Sequence, residues 1–151
     1  MNCPFCGNQH TKVIDTDKDE GIRIHRRRQC LRCGKRFNTY ERPYLNTPVI
    51  IKTDGTREEY DREKLIKGIR ISCAKRPVSA QKIEQLVDDI ERELQMEGKR
   101  EVSSRFIGDK VIAGLKILDH IAYIRYAIVY LQLSDLHSVR DEIDRLLAES
   151  N

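Results

Sequence analysis

Two closely spaced cysteine pairs near the start of the chain constrain its fold more than any other feature. Each pair leaves two residues between its thiols and is followed by glycine, in Cys3-Pro4-Phe5-Cys6-Gly7 and Cys30-Leu31-Arg32-Cys33-Gly34. Two such turns can supply four thiolates to a tetrahedral Zn²⁺, and glycine permits the left-handed backbone that closes each turn. A redox dithiol or a disulfide framework is the alternative. The spacing favours zinc, with four ligands: Cys3, Cys6, Cys30 and Cys33.

The charge of the chain is unevenly distributed. Residues 1–45 carry ten Lys or Arg and five Asp or Glu, whereas residues 46–151 carry eighteen and nineteen. A basic excess confined to the cysteine-rich segment is typical of a module that faces phosphates. No apolar run reaches the roughly 20 residues of a membrane span, and no signal peptide precedes the first cysteine pair. We therefore expect a cytoplasmic protein with reduced thiols and no membrane partner.

The first 42 residues predict a small β module held by metal. Segments rich in β-formers predict strands at Thr11–Thr16, Ile22–Gln29 and Phe37–Glu41, with a polar turn at Asp17–Gly21. About forty residues cannot bury a sufficient core, so the metal must contribute folding free energy. The sequence thus predicts a zinc ribbon over residues 1–42, followed by a stiff, proline-bracketed linker over residues 43–48.

Three consecutive arginines occupy the second predicted strand. Side chains alternate along a strand, so Arg26 and Arg28 share one face while His25 and Arg27 share the other. Guanidinium groups bind phosphates or guanine, although a solvated surface strand would also explain the triplet alone. Because the ribbon carries the whole basic excess, we predict nucleic-acid contacts. The predicted contact residues are Arg26, Arg27, Arg28, Lys35 and Arg36.

Residues 49–134 combine a short hairpin with a series of helices. Val49–Lys52 and a polar strand ending at Tyr60 flank Asp54-Gly55, a dipeptide typical of hairpin turns. Capping residues, helix breakers and the spacing of apolar residues indicate four helices. The first runs from Asp61 to Pro77, the second from Ser79 to Gly98, the third from Ser103 or Ser104 to Leu118, and the fourth, after Asp119, covers Ile121–Leu133.

Apolar positions on these helices predict which surfaces form the core. The fourth helix is apolar on nearly every side apart from Arg125, so we expect it to be buried among its neighbours. Cys73 lies on the apolar face of the first helix, which predicts a buried core thiol. A last amphipathic helix has an apolar face of Leu136, Val139, Ile143 and Leu146.

The second half of the chain shows no catalytic pattern. It contains no Gly-x-x-x-x-Gly-Lys-Ser/Thr loop, no dinucleotide-binding Gly-x-Gly-x-x-Gly after a strand, and no supported Ser/His/Asp arrangement. Lys52 on the hairpin and Lys64 near a helix N-terminus would suit a polyphosphate. By spacing alone, solvated lysines explain this pair better. We expect no enzymatic activity.

A longer pattern carries a family resemblance. The segment Val49–Leu65 resembles the opening of the ATP-cone domain, the nucleotide-sensing module at the head of many ribonucleotide reductases. A four-cysteine ribbon followed by an ATP cone is similar to the NrdR family, bacterial transcriptional repressors of ribonucleotide reductase genes. The chain departs from the usual pattern at Thr53, normally Arg, and at Tyr60, normally Phe. Further segments similar to the family are Met1–Gly7, Arg26–Cys30, Arg36–Glu41, Lys75–Ser79 and Ala122–Tyr130.

The resemblance implies an α+β fold and a regulatory mechanism. The fold is an N-terminal four-cysteine β zinc ribbon followed by a mainly helical ATP-cone domain with a small β-sheet, over residues 49–134, and a C-terminal helix over residues 135–151. Family members bind paired palindromic boxes in the double-stranded DNA of reductase promoters. Occupancy of the cone by dATP favours a homo-oligomer that binds DNA, and ATP alone favours assemblies that do not. The implied ligands are Zn²⁺, ATP and dATP, and the implied location is the bacterial nucleoid.

The resemblance also assigns nucleotide contacts. Lys52 and Lys64 are expected to hold phosphates, and Tyr126 and Tyr130 to line the base or ribose, with plain core packing as the alternative for the tyrosines. The positions that match nucleotide-contacting places, or adjoin them, are Ile50, Lys52, Thr53, Glu58, Lys64, Leu65, Tyr126 and Tyr130.

Two other function classes fit parts of the sequence. One is a zinc-ribbon nucleic-acid-binding module, for RNA or for assembly, whose cone serves only for oligomerisation. A preference for palindromic duplex over single-stranded RNA would separate it from a repressor. The other is a detached regulatory head of a reductase, which is disfavoured because reductases carry catalytic cysteines and hundreds of further residues.

Overall fold

Three antiparallel strands make up the sheet in the described residues of the first unit. A computed structural model describes residues 1–18, 24–42 and 46–149, and the chain divides into two units, Met1–Leu45 and Asn46–Asn151. The three predicted strands are present, and the first extends two residues further than predicted. Residues 19–23, in the predicted turn and at the start of the second strand, and linker residues 43–45 lie outside the described part. The strands are β1 (Thr11–Lys18), β2 (Ile24–Cys30) and β3 (Arg36–Glu41), in the order β1-β2-β3.

The first unit buries very little apolar surface. Among its described residues, the buried side chains are Cys3 and Cys30, at 2% and 1% exposure, and Thr39. Val13 and Ile14 of β1 are exposed instead. A sheet with so small a core depends on other interactions for its stability, as the sequence predicted.

A second small sheet opens the second unit. Strands β4 (Val49–Ile51) and β5 (Arg57–Glu59) form the predicted hairpin, and Gly55 at its turn has a left-handed φ of 84°. Strand β6 (Glu101–Ser103) pairs with β4 in parallel and was not predicted, because three polar-flanked residues carry no strand signal of their own. The pairing buries Val102 and gives the order β5-β4-β6.

Within residues 46–149, five helices complete the second unit, and the first four start at the predicted caps. The side chains of Asp61, Ser79, Ser103 and Asp119 each accept a hydrogen bond from a backbone N–H in the first turn of the helix that follows. Gly98 ends the second helix with a φ of 62°, as predicted. The helices are α1 (Arg62–Ser72), α2 (Ala80–Glu97), α3 (Ser104–Leu118), α4 (His120–Tyr130) and α5 (Leu136–Glu149).

Two predicted helix ends were wrong. The first helix ends at Ser72 rather than at Pro77. The Cys73 N–H donates to the carbonyls of Ile69 and Ile71, and the Arg125 guanidinium donates to Ser72 O at 3.4 Å and, just beyond the helix, to Ala74 O at 2.6 Å. The fourth ends at Tyr130 rather than Leu133, because Gln132 adopts a left-handed φ of 55°. Neither end is marked by a proline or glycine at the observed position.

The core of the second unit lies between α1, α2, α3 and one side of α4. Cys73 is buried there, as predicted. The prediction that α4 is buried on all sides was wrong: Ala122 and Ala127 are buried, but Val129 is 79% exposed. The neighbours α1, α3 and α5 leave the Val129 side of the helix uncovered, so an apolar composition did not by itself report burial.

Helix α5 contacts the unit through a polar group as well as an apolar one. Leu146 is buried, but Leu136 is 86% exposed, so the predicted four-residue apolar face is only partly used. Glu142, at 5% exposure, accepts hydrogen bonds from the Tyr123 hydroxyl at 2.5 Å and from Arg145 at 2.7 Å. The two hydrogen bonds offset the free-energy cost of burying this carboxylate.

The close packing of α3 on α4 gives a stability prediction. A Cβ added at Gly108 would lie 2.6 Å from Cζ of Tyr130, whose hydroxyl is held by Asp109 and by the Arg105 carbonyl. We expect Gly108→Ala to destabilise the protein by about 1–3 kcal/mol. Gly68→Ala is the control, because its Cβ meets open space and a helical Ala stabilises by up to about 1 kcal/mol. Equal unfolding free energies in urea for the two variants would contradict this packing.

No helix among the described residues combines the length and the apolar composition that a membrane span requires.

Candidate metal, nucleic-acid and nucleotide sites

The four predicted cysteine ligands come together in the first unit. Their sulfurs lie within 4.8 Å of one another, with Cys3 Sγ 3.7 Å from Cys33 Sγ and Cys6 Sγ 3.6 Å from Cys30 Sγ. A tetrahedral site with Zn–S bonds of about 2.3 Å separates its sulfurs by about 3.8 Å. All five cysteines of the chain are free of disulfide bonds. The donor set and its spacing therefore fit a structural zinc ion.

Equivalent turns hold both cysteine pairs. Gly7 donates its backbone N–H to the Cys3 carbonyl at 2.9 Å, and Gly34 donates to the Cys30 carbonyl at 3.1 Å. Both glycines have a φ of 70°, the left-handed conformation that the sequence predicted. The turns thus bring the sulfurs of each pair to one side of the backbone.

Backbone N–H groups point at the sulfurs. Hydrogen bonds to Cys30 Sγ from the amides of Cys33 and Arg32 lower the pKa of Cys30 to about 6, against the opposing effect of burial. The Lys35 amide lowers the pKa of Cys33, but burial and the neighbouring thiols raise it to about 11. A metal cation would favour the thiolate form of every ligand.

Alternation along β2 divides the arginine triplet. Arg26 donates to Glu41 at 3.3 Å, and Arg28 donates to the Thr39 hydroxyl at 3.0 Å and lies 3.7 Å from Glu41. Both guanidiniums are half-buried on this face of the sheet. Arg27 is exposed on the opposite face. The structure therefore does not bring the three arginines to one surface.

The opposite face of the ribbon sheet forms a shallow polar concavity of about 360 Å³. Its lining includes Arg27 and Arg36, two of the predicted contact residues, whereas Lys35 lies apart over the Phe5 ring at 4.9 Å. Strand alternation predicted His25 on this face, but the sequence did not show how the strands pair, so Asp15 of β1 and Asn38 of β3 were not predicted beside Arg27. A bulge between Val13 and Asp15 also shifts the register of β1. The remaining lining residues are Asp15, Asp17, His25, Phe37 and Asn38.

A carboxylate joins the two predicted phosphate-binding lysines of the second unit. Glu58 lies 2.9 Å from Lys52 Nζ and accepts two hydrogen bonds from Lys64 Nζ, at 3.0 and 3.1 Å. These hydrogen bonds lower the pKa of Glu58, and the bond to Glu58 raises the pKa of Lys52. The β4–β5 hairpin and the first turn of α1 thus converge on one charged cluster, which we call the Lys52–Glu58–Lys64 triad.

The other predicted nucleotide residues fall into two groups. Ile50 is buried in strand β4 of the hairpin, Leu65 packs at the edge of the core, and Thr53 is exposed in the hairpin turn, so each of the three is next or next but one in the chain to a residue of the triad. Tyr126 and Tyr130 stack at 5.6 Å between ring centroids and line a separate groove of about 430 Å³ with Ile71 and Ser72. That groove lies at the C-terminal end of α1, whereas Lys64 lies in its first turn.

Comparisons with known proteins find a family match for each of the two units. Residues 1–41 match the model of the NrdR-like transcriptional repressor N-terminal domain, and residues 48–136 match the ATP cone domain. The chain is 49% identical over 148 residues to the transcriptional repressor NrdR of Chloroflexus aggregans, covering 97% of this chain and 85% of that protein. It is 47% identical over 150 residues to that of Caldicellulosiruptor saccharolyticus, covering 99% and 98%. The chain belongs to the NrdR family.

Family membership fixes the class of the protein. As an NrdR family member, the chain is a transcriptional repressor and not an enzyme. Its fold is α+β, with a four-cysteine ribbon for Zn²⁺ and an ATP cone for ATP or dATP, as predicted. The reductase-fragment hypothesis is therefore set aside, because the NrdR match extends over both units.

Proposed function

We propose that the chain represses ribonucleotide reductase genes by binding paired palindromic promoter boxes through its ribbon. Occupancy of the cone by ATP or dATP controls this binding through the oligomeric state. The observation that carries the proposal is the pairing, on one chain, of an arginine-bearing four-cysteine ribbon with an ATP cone whose lysines already hold a carboxylate. Lys52 and Lys64 would exchange that carboxylate for nucleotide phosphates.

The proposed layout assigns one task to each segment. Residues 1–42 bind zinc and DNA, residues 43–48 link the units, residues 49–134 bind the nucleotide, and residues 135–151 form a C-terminal helix. The family matches over residues 1–41 and 48–136 support this division. The four cysteines are the proposed zinc ligands, and the chain would act in the bacterial cytoplasm, at the nucleoid.

Nucleotide control of DNA binding has a simple thermodynamic form. ATP and dATP differ by one 2′-hydroxyl, and they can shift an oligomer equilibrium only if they bind its states unequally. Joining several ribbons in one oligomer raises the effective concentration of each at a neighbouring box, and weak contacts thereby become tight binding.

Fluorescence anisotropy of a labelled reductase-promoter duplex tests the proposal. We expect dATP to tighten binding by about 5- to 150-fold relative to ATP, since coupling free energies of about 1–3 kcal/mol are typical. A scrambled duplex and a single-stranded RNA of equal length are the controls. Equal binding with dATP, ATP and no nucleotide would contradict nucleotide control, and a preference for the RNA would favour the alternative module.

A further inference from the structure

One face of the ribbon sheet presents a mixed set of hydrogen-bonding groups. We call it the Arg27 face. In the register of the sheet, Arg27 on β2 lies opposite Asp15 on β1 and opposite Asn38 on β3. Side chains at these positions therefore form a row across all three strands. The same face carries Arg36, which also lines the concavity.

The arginines on the two faces differ in whether they contact other side chains of the sheet. On the opposite face, Glu41 and Thr39 hold Arg26 and Arg28, so those guanidiniums are partly committed to contacts within the sheet. Within the described residues, Arg27 and Arg36 form no ion pair. Their donors are therefore open to an external acceptor.

The composition of the row matches base edges better than phosphates. A surface that binds only phosphates gains nothing from a carboxylate, which repels them. Base edges in the major groove offer acceptors to arginine at guanine, an acceptor and a donor to asparagine at adenine, and a donor to aspartate at cytosine. Asp15 retains acceptor capacity for such a contact, since its Oδ1 accepts from the Thr16 amide at 2.8 Å and a carboxylate has several lone pairs.

We propose that the Arg27 face reads base edges, with Arg27 and Asn38 as specificity-determining residues and Asp15 excluding unmatched bases. This inference rests on the proposed DNA-binding function and deepens it. The sheet would lie against the major groove, which some β-ribbon and β-sheet proteins read. Arg26 and Arg28, on the other face, contribute charge and hold β3 in place through their contacts with Glu41 and Thr39.

Single variants at Arg27 on β2 and Asn38 on β3, compared with a control on β2, provide the test. In the presence of dATP, each variant is titrated against the reductase-promoter duplex and a scrambled duplex of equal length. We expect Arg27→Ala and Asn38→Ala each to weaken promoter binding about 10- to 100-fold, because a bidentate base contact provides about 1–3 kcal/mol of discrimination. Loss of Asn38 should leave scrambled-duplex binding unchanged, and loss of Arg27 should weaken it much less than promoter binding.

Arg26→Ala is the matched control, because it removes the same charge from the adjacent residue on the other face. We expect it to weaken binding to both duplexes by the same factor. Zinc content of one ion per chain verifies that each variant is folded. If Arg27→Ala also weakens both duplexes equally, or if only Arg26→Ala removes the preference, the inference is wrong. A parent protein without preference for the promoter duplex would instead overturn the proposed function, and the inference with it.

Discussion

Replacing Cys30 with alanine is expected to unfold the ribbon and to abolish specific DNA binding, while the second unit stays folded. The described part of the ribbon buries little besides Cys3, Cys30 and Thr39, so the metal must supply most of its folding free energy. Structural zinc contributes about 10–16 kcal/mol in zinc-finger peptides, which is more than so small a core can replace. Specific binding should therefore fall at least about 1,000-fold, to the non-specific level.

Zinc content, circular dichroism and duplex anisotropy together measure this effect. Chelation of zinc from the parent protein should reproduce the result of Cys30→Ala. Cys73→Ala is the matched control, because its buried thiol lies in the second unit and does not belong to the sulfur cluster. That variant should keep one zinc per chain and its DNA affinity. A Cys30→Ala protein that retained zinc and a folded ribbon would rule out the four-thiolate site.

Lys52→Ala is expected to weaken both ATP and dATP binding by about 10- to 100-fold. The triphosphate is common to the two nucleotides, and a charge-assisted hydrogen bond contributes about 1.5–3 kcal/mol. In the structure, Lys52 and Lys64 hold the Glu58 carboxylate in the way that they would hold a phosphate. The lowered pKa of Glu58 keeps it ionised at neutral pH, so a nucleotide must displace a full negative charge from both lysines.

Isothermal titration calorimetry with each nucleotide measures the loss. Lys99→Ala is a suitable control, because Lys99 forms an exposed ion pair with Glu97 at 2.8 Å on another surface element. It should bind ATP and dATP like the parent, and both variants should keep their zinc. Unchanged nucleotide affinity in Lys52→Ala would remove the triad from the nucleotide site and direct attention to the groove of Tyr126 and Tyr130.

Local patterns in the sequence determined the metal cluster and most element boundaries. Two pairs of thiols two residues apart, each followed by glycine, are typical of zinc-binding turns, so their spacing predicted the sulfur cluster that the structure shows. Asp61, Ser79 and Asp119 start their helices as predicted, because a side-chain cap acts on an amide in the next turn. Strand alternation likewise predicted that Arg27 lies on the opposite face of the sheet from Arg26 and Arg28.

Contacts between distant segments decided the rest. The strand β6 exists because β4 lies beside it, and the carbonyls of Ser72 and Ala74 at the end of α1 are bonded by the guanidinium of Arg125, more than fifty residues away. One side of α4 is exposed because no neighbouring helix packs on it in the described structure. The apolar composition of the helix does not show which of its sides are covered. Similarly, the Lys52–Glu58–Lys64 triad arises where a hairpin meets a helix N-terminus. Spacing along the chain specifies local turns and caps, whereas these contacts depend on three-dimensional packing and so required the tertiary structure.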